Sequence, residues 1–278
     1  MVTTEPGTRG RHQTADRATF ERDGYVRLPG ALDASAVDRL VEAVDRVYVR
    51  HRGSPPVPGA DPLHLLAFVG EDDAFVELLD HPATLPLVLD VLGWNVFMYH
   101  CHLDVHPPLV GPSDATWMWH QDGGVQNRDL ETAPRPRLSV KVAYFLTDLR
   151  EPGRGNFVVV PGSHRRNAIE RPADDGNELP DAIPILAAPG DAVVFDRRLW
   201  HMRSENRSPI TRKALFYAYT YRWVRARDDL RIPPERLPSI TAVRAQLLGA
   251  GTAAMGHWIP GDDDAPLRAW TPAGSRAR

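Results

Sequence analysis

Trp117-Met118-Trp119-His120-Gln121-Asp122-Gly123-Gly124 is the stretch on which the fold turns. In an extended chain residues i and i+2 point to the same side, so His120 and Asp122 can converge on one small object. A neutral imidazole and a carboxylate make two-thirds of the 2-His-1-carboxylate facial set that holds oxygen-activating non-haem Fe(II). A His-x-Asp triplet alone is weak evidence. The rest of the chain must supply a second histidine, an anion-binding group and a barrel.

The second histidine is His201, which follows the apolar run from Asp191 and a turn, as a ligand delivered from a barrel strand would. Its bland alternative is a hydrogen-bonded structural histidine. Arg212 then precedes the strand Lys213-Ala-Leu-Phe-Tyr-Ala-Tyr-Thr-Tyr-Arg222. If Arg212 faces inward, Ala214, Phe216, Ala218 and Thr220 share its face and Tyr217, Tyr219 and Tyr221 face away. Mostly small residues beside a buried guanidinium would leave room for a ligand. Arg203 and Arg207 compete for the anion-binding role, although both are expected in an exposed turn.

Around these residues the pattern is mainly β. Strands are expected at 95–105, 116–121, 138–147, 156–160, 183–187, 191–196, 199–203 and 213–223, separated by turn signals such as Pro161-Gly162 and Pro189-Gly190. Helical spacing precedes them: a short helix near Phe20 leads into a strand ending at Pro29-Gly30. A helix capped by Asp33 or Ser35 follows, with further helical patterns at 73–80 and 83–92. Many short strands after a helical N-terminal third imply a β-sandwich or closed barrel with helices packed outside. The polar 164–182 stretch is long enough to be a lid. Residues 1–16 are expected to form a flexible tail, and 228–278 a C-terminal extension with a helix at 239–249, within one domain spanning 1–278.

Composition narrows the function classes. The chain has 278 residues, 42% hydrophobic and 25% charged, with a net charge of -3. That balance offers no basic footprint for nucleic acid. No apolar run reaches membrane-spanning length and no signal-peptide core is visible, so a cytoplasmic protein without a membrane partner is expected. The single cysteine, Cys101, precludes an internal disulfide framework and suits a reducing compartment. The sequence carries no signal for an oligomeric state.

Trp-His-Gln-Asp-Gly-Gly, Gly155-Asn-Phe-Val-Val-Val-Pro-Gly-Ser-His164, Pro189-Gly-Asp-Ala-Val-Val-Phe-Asp, His201 and Arg212 together resemble the phytanoyl-CoA dioxygenase family. The Phe-x-Arg-Asp-Gly-Tyr-Val run at 20–26 is similar to it as well. The likeness covers residues 18–222. It implies a double-stranded β-helix, a jelly-roll or cupin-like core with flanking N-terminal helices, using Fe(II), 2-oxoglutarate and O2. Carried over, it makes His120, Asp122 and His201 the catalytic iron ligands. Arg212 would bind the far carboxylate of 2-oxoglutarate. His102, Gln121 and Tyr144 would line the co-substrate site, although His102 and Tyr144 could equally be core residues. The family's Gly-Ser after the distal histidine is replaced here by Met202-Arg203, leaving Ser204 as the nearest hydroxyl.

The resemblance further implies oxidation of a small organic molecule by hydrogen abstraction, ending in hydroxylation, epimerisation or ring formation, as in natural-product biosynthesis. Substrate contacts are expected from Gly124, Asn127 and Trp200. The competing reading is a non-catalytic or differently metallated cupin-like barrel that binds a small molecule. His100-Cys101-His102 resembles the His-x-His of metal-binding cupins, but His106 stands where their glutamate is expected. The presence of Asp122 argues against a halogenase, and no Gly-x-Ser-x-Gly elbow supports a serine nucleophile.

Overall fold

A computed structural model describes residues 16–113, 117–173, 176–234, 240–250, 255–261 and 264–270. The tail expected at 1–16 lies outside these residues except residue 16, which opens helix α1 (residues 16–23). Helix α2 (Ala34–Arg52) begins where Asp33 accepts a hydrogen bond from Ala36 N, and it ends at Gly53 in the left-handed region. Between those caps Val37, Leu40, Val44, Val47 and Tyr48 form its buried stripe. The shorter α3 (Asp73–Val76) and α4 (Leu85–Leu92) bury Phe75, Val76, Leu85, Val88, Leu89 and Leu92.

The strands form two antiparallel sheets. The larger has the order β1-β7-β4-β9-β3-β2 and the smaller β6-β5-β8. Their ranges are β1 (Tyr25–Leu28), β2 (Leu63–Leu66), β3 (Val96–His106), β4 (Ser139–Phe145), β5 (Phe157–Val159), β6 (Ile183–Pro184), β7 (Ala192–Asp196), β8 (His201–Arg203) and β9 (Arg212–Tyr221). From β4 onward the chain enters the large sheet, crosses to the small one for β5 and β6, and returns for β7. It crosses again for β8 and comes back for β9. That winding is a double-stranded β-helix. Of the strand expected at 116–121, residue 116 lies outside the described residues and the rest keeps only a bridge at His120; β2 had no strand signal.

Side-chain alternation divides the core. Val142, Tyr144, Val194, Leu215, Tyr217 and Tyr219 face the helices, with Tyr217 and Tyr219 donating their hydroxyls to the carbonyls of Phe75 and Leu79. Ala143, Phe145, Val193, Phe195, Ala214 and Phe216 face inward against Phe157 and Val159 of the small sheet. The inner face of β9 therefore matches its sequence reading, and Arg212 belongs to the strand as its first residue. At the other end, Asp228 accepts from Cys101 N and pairs with His100, fastening the start of the C-terminal extension to β3.

Candidate metal centre

His120 and His201 come together through a two-bond backbone bridge: each N–H donates to the other's carbonyl, at 3.1 and 3.0 Å. Their ring centroids are 4.3 Å apart. His201 Nε2 lies 4.0 Å from Asp122 Oδ2. One ligand atom from each of His120, Asp122 and His201 falls within 4.8 Å of the others. The turn after Asp122 depends on Gly123, whose φ is +123°; a Cβ there would stand 2.2 Å from Arg197 Nη1. Arg197 and Asn127 both donate to the Asp122 carbonyl, at 3.3 and 3.1 Å, and hold the turn from behind.

The histidine tautomers follow from their partners. His120 Nδ1 is 3.0 Å from the Met118 carbonyl and His201 Nδ1 is 2.8 Å from the Leu199 carbonyl. A carbonyl only accepts, so each Nδ1 carries the proton and each Nε2 keeps its lone pair. Burial and the adjacent His120 ring bring the His201 pKa down to about 3, so that ring is neutral. Burial alone would raise the pKa of Asp122. The Lys141 charge outweighs it and holds the carboxyl ionised, well below the usual range. Lys141 Nζ donates to Oδ1 at 2.8 Å, while Oδ2 is buried without a hydrogen-bond partner. Two imidazole lone pairs and an orphaned carboxylate oxygen form a donor set that fits a divalent cation with positions left open.

Along the inner wall stands Arg212, 1% exposed, with Nε and Nη1 buried and lacking hydrogen-bond partners. Its stem fits because residue 155 is glycine: a Cβ there would lie 2.7 Å from Arg212 Cδ, and the backbone φ is +70°. The nearest carboxylate oxygen is Asp104 Oδ2, at 3.6 Å, too far for a hydrogen bond but close enough for charge attraction. Asp104 receives His64 Nδ1 at 2.6 Å, and the Nε2 atoms of His102 and His106 are each 4.0 Å from its Oδ2. His102 stacks on Phe216 at 4.3 Å, and the Arg212 guanidinium lies 5.9 Å from the same ring.

Several sequence expectations need correction. Tyr144 points outward, its hydroxyl bonded to Thr84 at 2.7 Å, because strand alternation places it among the helix-facing residues. Gln121 faces away from its two neighbours and bonds the Arg166 carbonyl at 2.9 Å and Arg135 at 2.6 Å, so it braces a loop. The Ser204 hydroxyl reaches only the Glu205 carbonyl, at 3.5 Å. Trp200 sits on the outer side of β8 with Trp119 and Met202, and its indole donates to Arg166 at 3.2 Å. Arg203 is not in an exposed turn: it pairs with Phe157 as the last residue of β8. Gly124 opens on free space, with nothing within 4 Å of where its Cβ would be. Asn127 braces the turn, with its Oδ1 buried and unpartnered.

The 164–182 stretch does not stand clear of the barrel. Asn177 accepts from Met118 N and Trp119 Nε1, at 2.6 and 2.9 Å, and Asn167 accepts from Arg135 N at 3.0 Å. Lys141, Asp104 and His64 were missed in the sequence. A lone lysine inside Ser139-Val-Lys-Val-Ala-Tyr-Phe145 was a readable signal, as was the i+2 step from His102 to Asp104.

A family model described as phytanoyl-CoA dioxygenase matches residues 20–214. The chain is 25% identical over 276 residues to a dioxygenase, cdmD, of Talaromyces verruculosus, covering 88% of this chain and 87% of that one. Among solved structures it is similar to SnoK, a non-haem α-ketoglutarate-dependent carbocyclase from nogalamycin biosynthesis, with a TM-score of 0.55 and 21% identity over 74% of this chain and 83% of the other. HygX from Streptomyces hygroscopicus, solved with nickel and 2-oxoglutarate, gives a TM-score of 0.60 at 16% identity over 78% and 94%.

Proposed function

The chain belongs to the phytanoyl-CoA dioxygenase family, and we propose that it is an iron- and 2-oxoglutarate-dependent oxygenase of small molecules. On that premise we propose that His120, Asp122 and His201 hold Fe(II), that Arg212 receives the far carboxylate of 2-oxoglutarate, and that His102 lines the wall between them. The observation that carries this reading is a pair of buried orphans: an Asp122 Oδ2 without a hydrogen bond beside two imidazoles, and an Arg212 whose Nε and Nη1 make none.

When bound, Fe(II) with 2-oxoglutarate would supply the electrons that activate O2, the co-substrate being oxidised to succinate and CO2. The chain's own residues prepare for this. Met118 and Leu199 fix the ring orientations through Nδ1, and Lys141 occupies one Asp122 oxygen so that the other faces the cation. Arg212 offers charge-assisted hydrogen bonds suited to a carboxylate. Phe157, Phe195 and Phe216 keep the adjoining interior dry.

The substrate is a small organic molecule entering beside Gly124 and Asn127, where the turn after Asp122 leaves open space. A place in natural-product biosynthesis is supported by SnoK, whose own role is in nogalamycin formation. The whole chain is read as one oxygenase domain, because Asp228 is tied to β3. Among the described residues no helix is long and apolar enough to cross a membrane. A cytoplasmic location, with no nucleic-acid or membrane partner, is supported by the lone buried thiol and the net charge of -3.

The test is anaerobic titration. Iron should bind at about one per chain, as one facial set requires. Arg212→Ala should keep that iron while losing 2-oxoglutarate affinity by tens- to thousands-fold, the equivalent of about 2–5 kcal/mol for a buried charge partner. Unchanged co-substrate affinity in Arg212→Ala would remove Arg212 from this role.

A further inference from the structure

The co-substrate pocket proposed above has a charge problem that Arg212 alone does not solve. Asp104 stands 3.6 Å from the Arg212 guanidinium and is ionised: although burial opposes it, the hydrogen bond to His64 and the Arg212 charge hold its carboxyl well below the ordinary range. Arg212 and Asp104 therefore sum to zero. His102 and His106 add no charge, since burial pulls both pKa values down, that of His106 to about 3. A dicarboxylate bringing its far end to this pair would meet a neutral pocket that contains a carboxylate, and the two acids would repel each other.

The surplus positive charge comes from Arg203. It is two residues beyond His201, on the side of β8 opposite Met202, which lies in the outer tryptophan cluster. Its charge depresses both His106 and Arg212, and Asp104 acts back on it. The backbone brings Arg203 to the same place: beyond it Ser204 N donates to the Asn156 carbonyl, and Gly155, against which the Arg212 stem packs, donates its N–H to the Glu205 carbonyl. Arg203 Nη1 donates to the carbonyl of Ser204 at 3.0 Å, and among the described residues no carboxylate lies within ion-pair distance of it. Glu205 also attracts Arg203, but it is already paired with Arg207 at 2.9 Å, so that pair adds no net charge. The pocket's sum with Arg203 included is one positive charge, which one carboxylate would neutralise.

The same cluster could be read as a second cation site, because His64, His102 and Asp104 offer ligand atoms within 4.8 Å of one another. Two guanidiniums beside it decide against that. A divalent cation would add to an existing positive sum, and like charges in a low-dielectric interior repel strongly.

We propose that Arg203 and Arg212 form a two-arginine clamp on the far carboxylate of the 2-oxo acid, with Asp104 neutralising the clamp when no acid is held. The inference rests on the co-substrate reading of Arg212 and assigns to Arg203 the net charge that selects a dicarboxylic over a monocarboxylic 2-oxo acid.

The test measures binding directly, by anaerobic calorimetry on the iron-loaded protein, with 2-oxoglutarate and with 2-oxopentanoate, which carries a methyl group where the far carboxylate would be. Arg203→Ala should weaken 2-oxoglutarate by tens-fold or more, as expected for a lost charged partner, while 2-oxopentanoate binds as it does to the unaltered protein. Asp104→Asn should tighten 2-oxoglutarate. Iron content and melting temperature report whether the Arg203→Ala protein is intact; Arg203→Gln, which keeps length and polarity, replaces it if it is not. If the Arg203 variants bind 2-oxoglutarate like the unaltered protein while Arg212→Ala fails to, the two-arginine clamp is wrong and Arg212 acts alone. If Arg212→Ala also binds normally, the co-substrate reading itself falls.

Discussion

The barrel interior holds two sets of ligating side chains that look alike on paper. His120, Asp122 and His201 form one; His64, His102 and Asp104 form the other, and in both the ligand atoms lie within 4.8 Å. What surrounds them differs. In the first, Lys141 satisfies one carboxylate oxygen and leaves the other bare, and both histidines are locked by backbone carbonyls. In the second, Arg212 lies at 3.6 Å from the carboxylate, Arg203 adds its field, and His102 spends Nδ1 on His100 at 3.2 Å. The first is a cradle with no net charge and a bare carboxylate oxygen, the second a cradle with one positive charge to spare. Donor atoms define what a cluster could ligate; the charge of the wall defines which sign it will take.

The widest separation between the two should appear in iron stoichiometry. His201→Ala and Asp122→Ala should reduce anaerobically bound Fe(II) from about one per chain to none, because a facial set with a missing member loses its geometry. His64→Ala and Asp104→Asn should leave it unchanged. Two irons on the unaltered chain, measured by a colorimetric chelator, would break the contrast outright.

Next in size is the lysine beside the first cluster. Removing one partner of a buried ion pair costs about 3–5 kcal/mol, so Lys141→Met should destabilise the iron-free protein by roughly that much in urea unfolding. Adding Fe(II) should recover much of the loss, since a cation at Asp122 takes over the neutralisation. Equal destabilisation with and without metal would mean that Lys141 serves the strand and not the centre.

The smallest effect concerns the second cluster's scaffold. Gly155→Ala forces a side chain into a left-handed backbone at about 1–2 kcal/mol and presses on the Arg212 stem. Unfolding should register that cost, and 2-oxoglutarate should bind several-fold more weakly while iron is held normally. A stable Gly155→Ala protein with full co-substrate affinity would show that Arg212 does not depend on this approach.

How far the sequence reaches can be judged from single residues. Alternation along β9 was legible, because a strand's period of two needs only local spacing, and it separated Arg212 and Phe216 from Tyr217 and Tyr219. The same rule, applied along β4 from Lys141, would have turned Tyr144 outward. A resemblance outweighed it there, and the tyrosine bonds Thr84 on α4's N-terminal side instead. Gln121 was drawn to the site by its neighbours in sequence, yet an extended backbone puts it on the opposite side from both.

By itself, then, the order of residues determined the strand pattern, the helix-first arrangement and the candidate trio of His120, Asp122 and His201, since each rests on spacing along one segment or on a motif read in line. Only the tertiary structure decided that Lys141 answers Asp122, that Asp104 stands beside Arg212, and that Arg203 turns inward from β8. Those are pairings between strands distant in sequence, and electrostatics acts through space: a charge is neutralised by whatever the winding of the barrel brings within a few ångströms, wherever it lies along the chain.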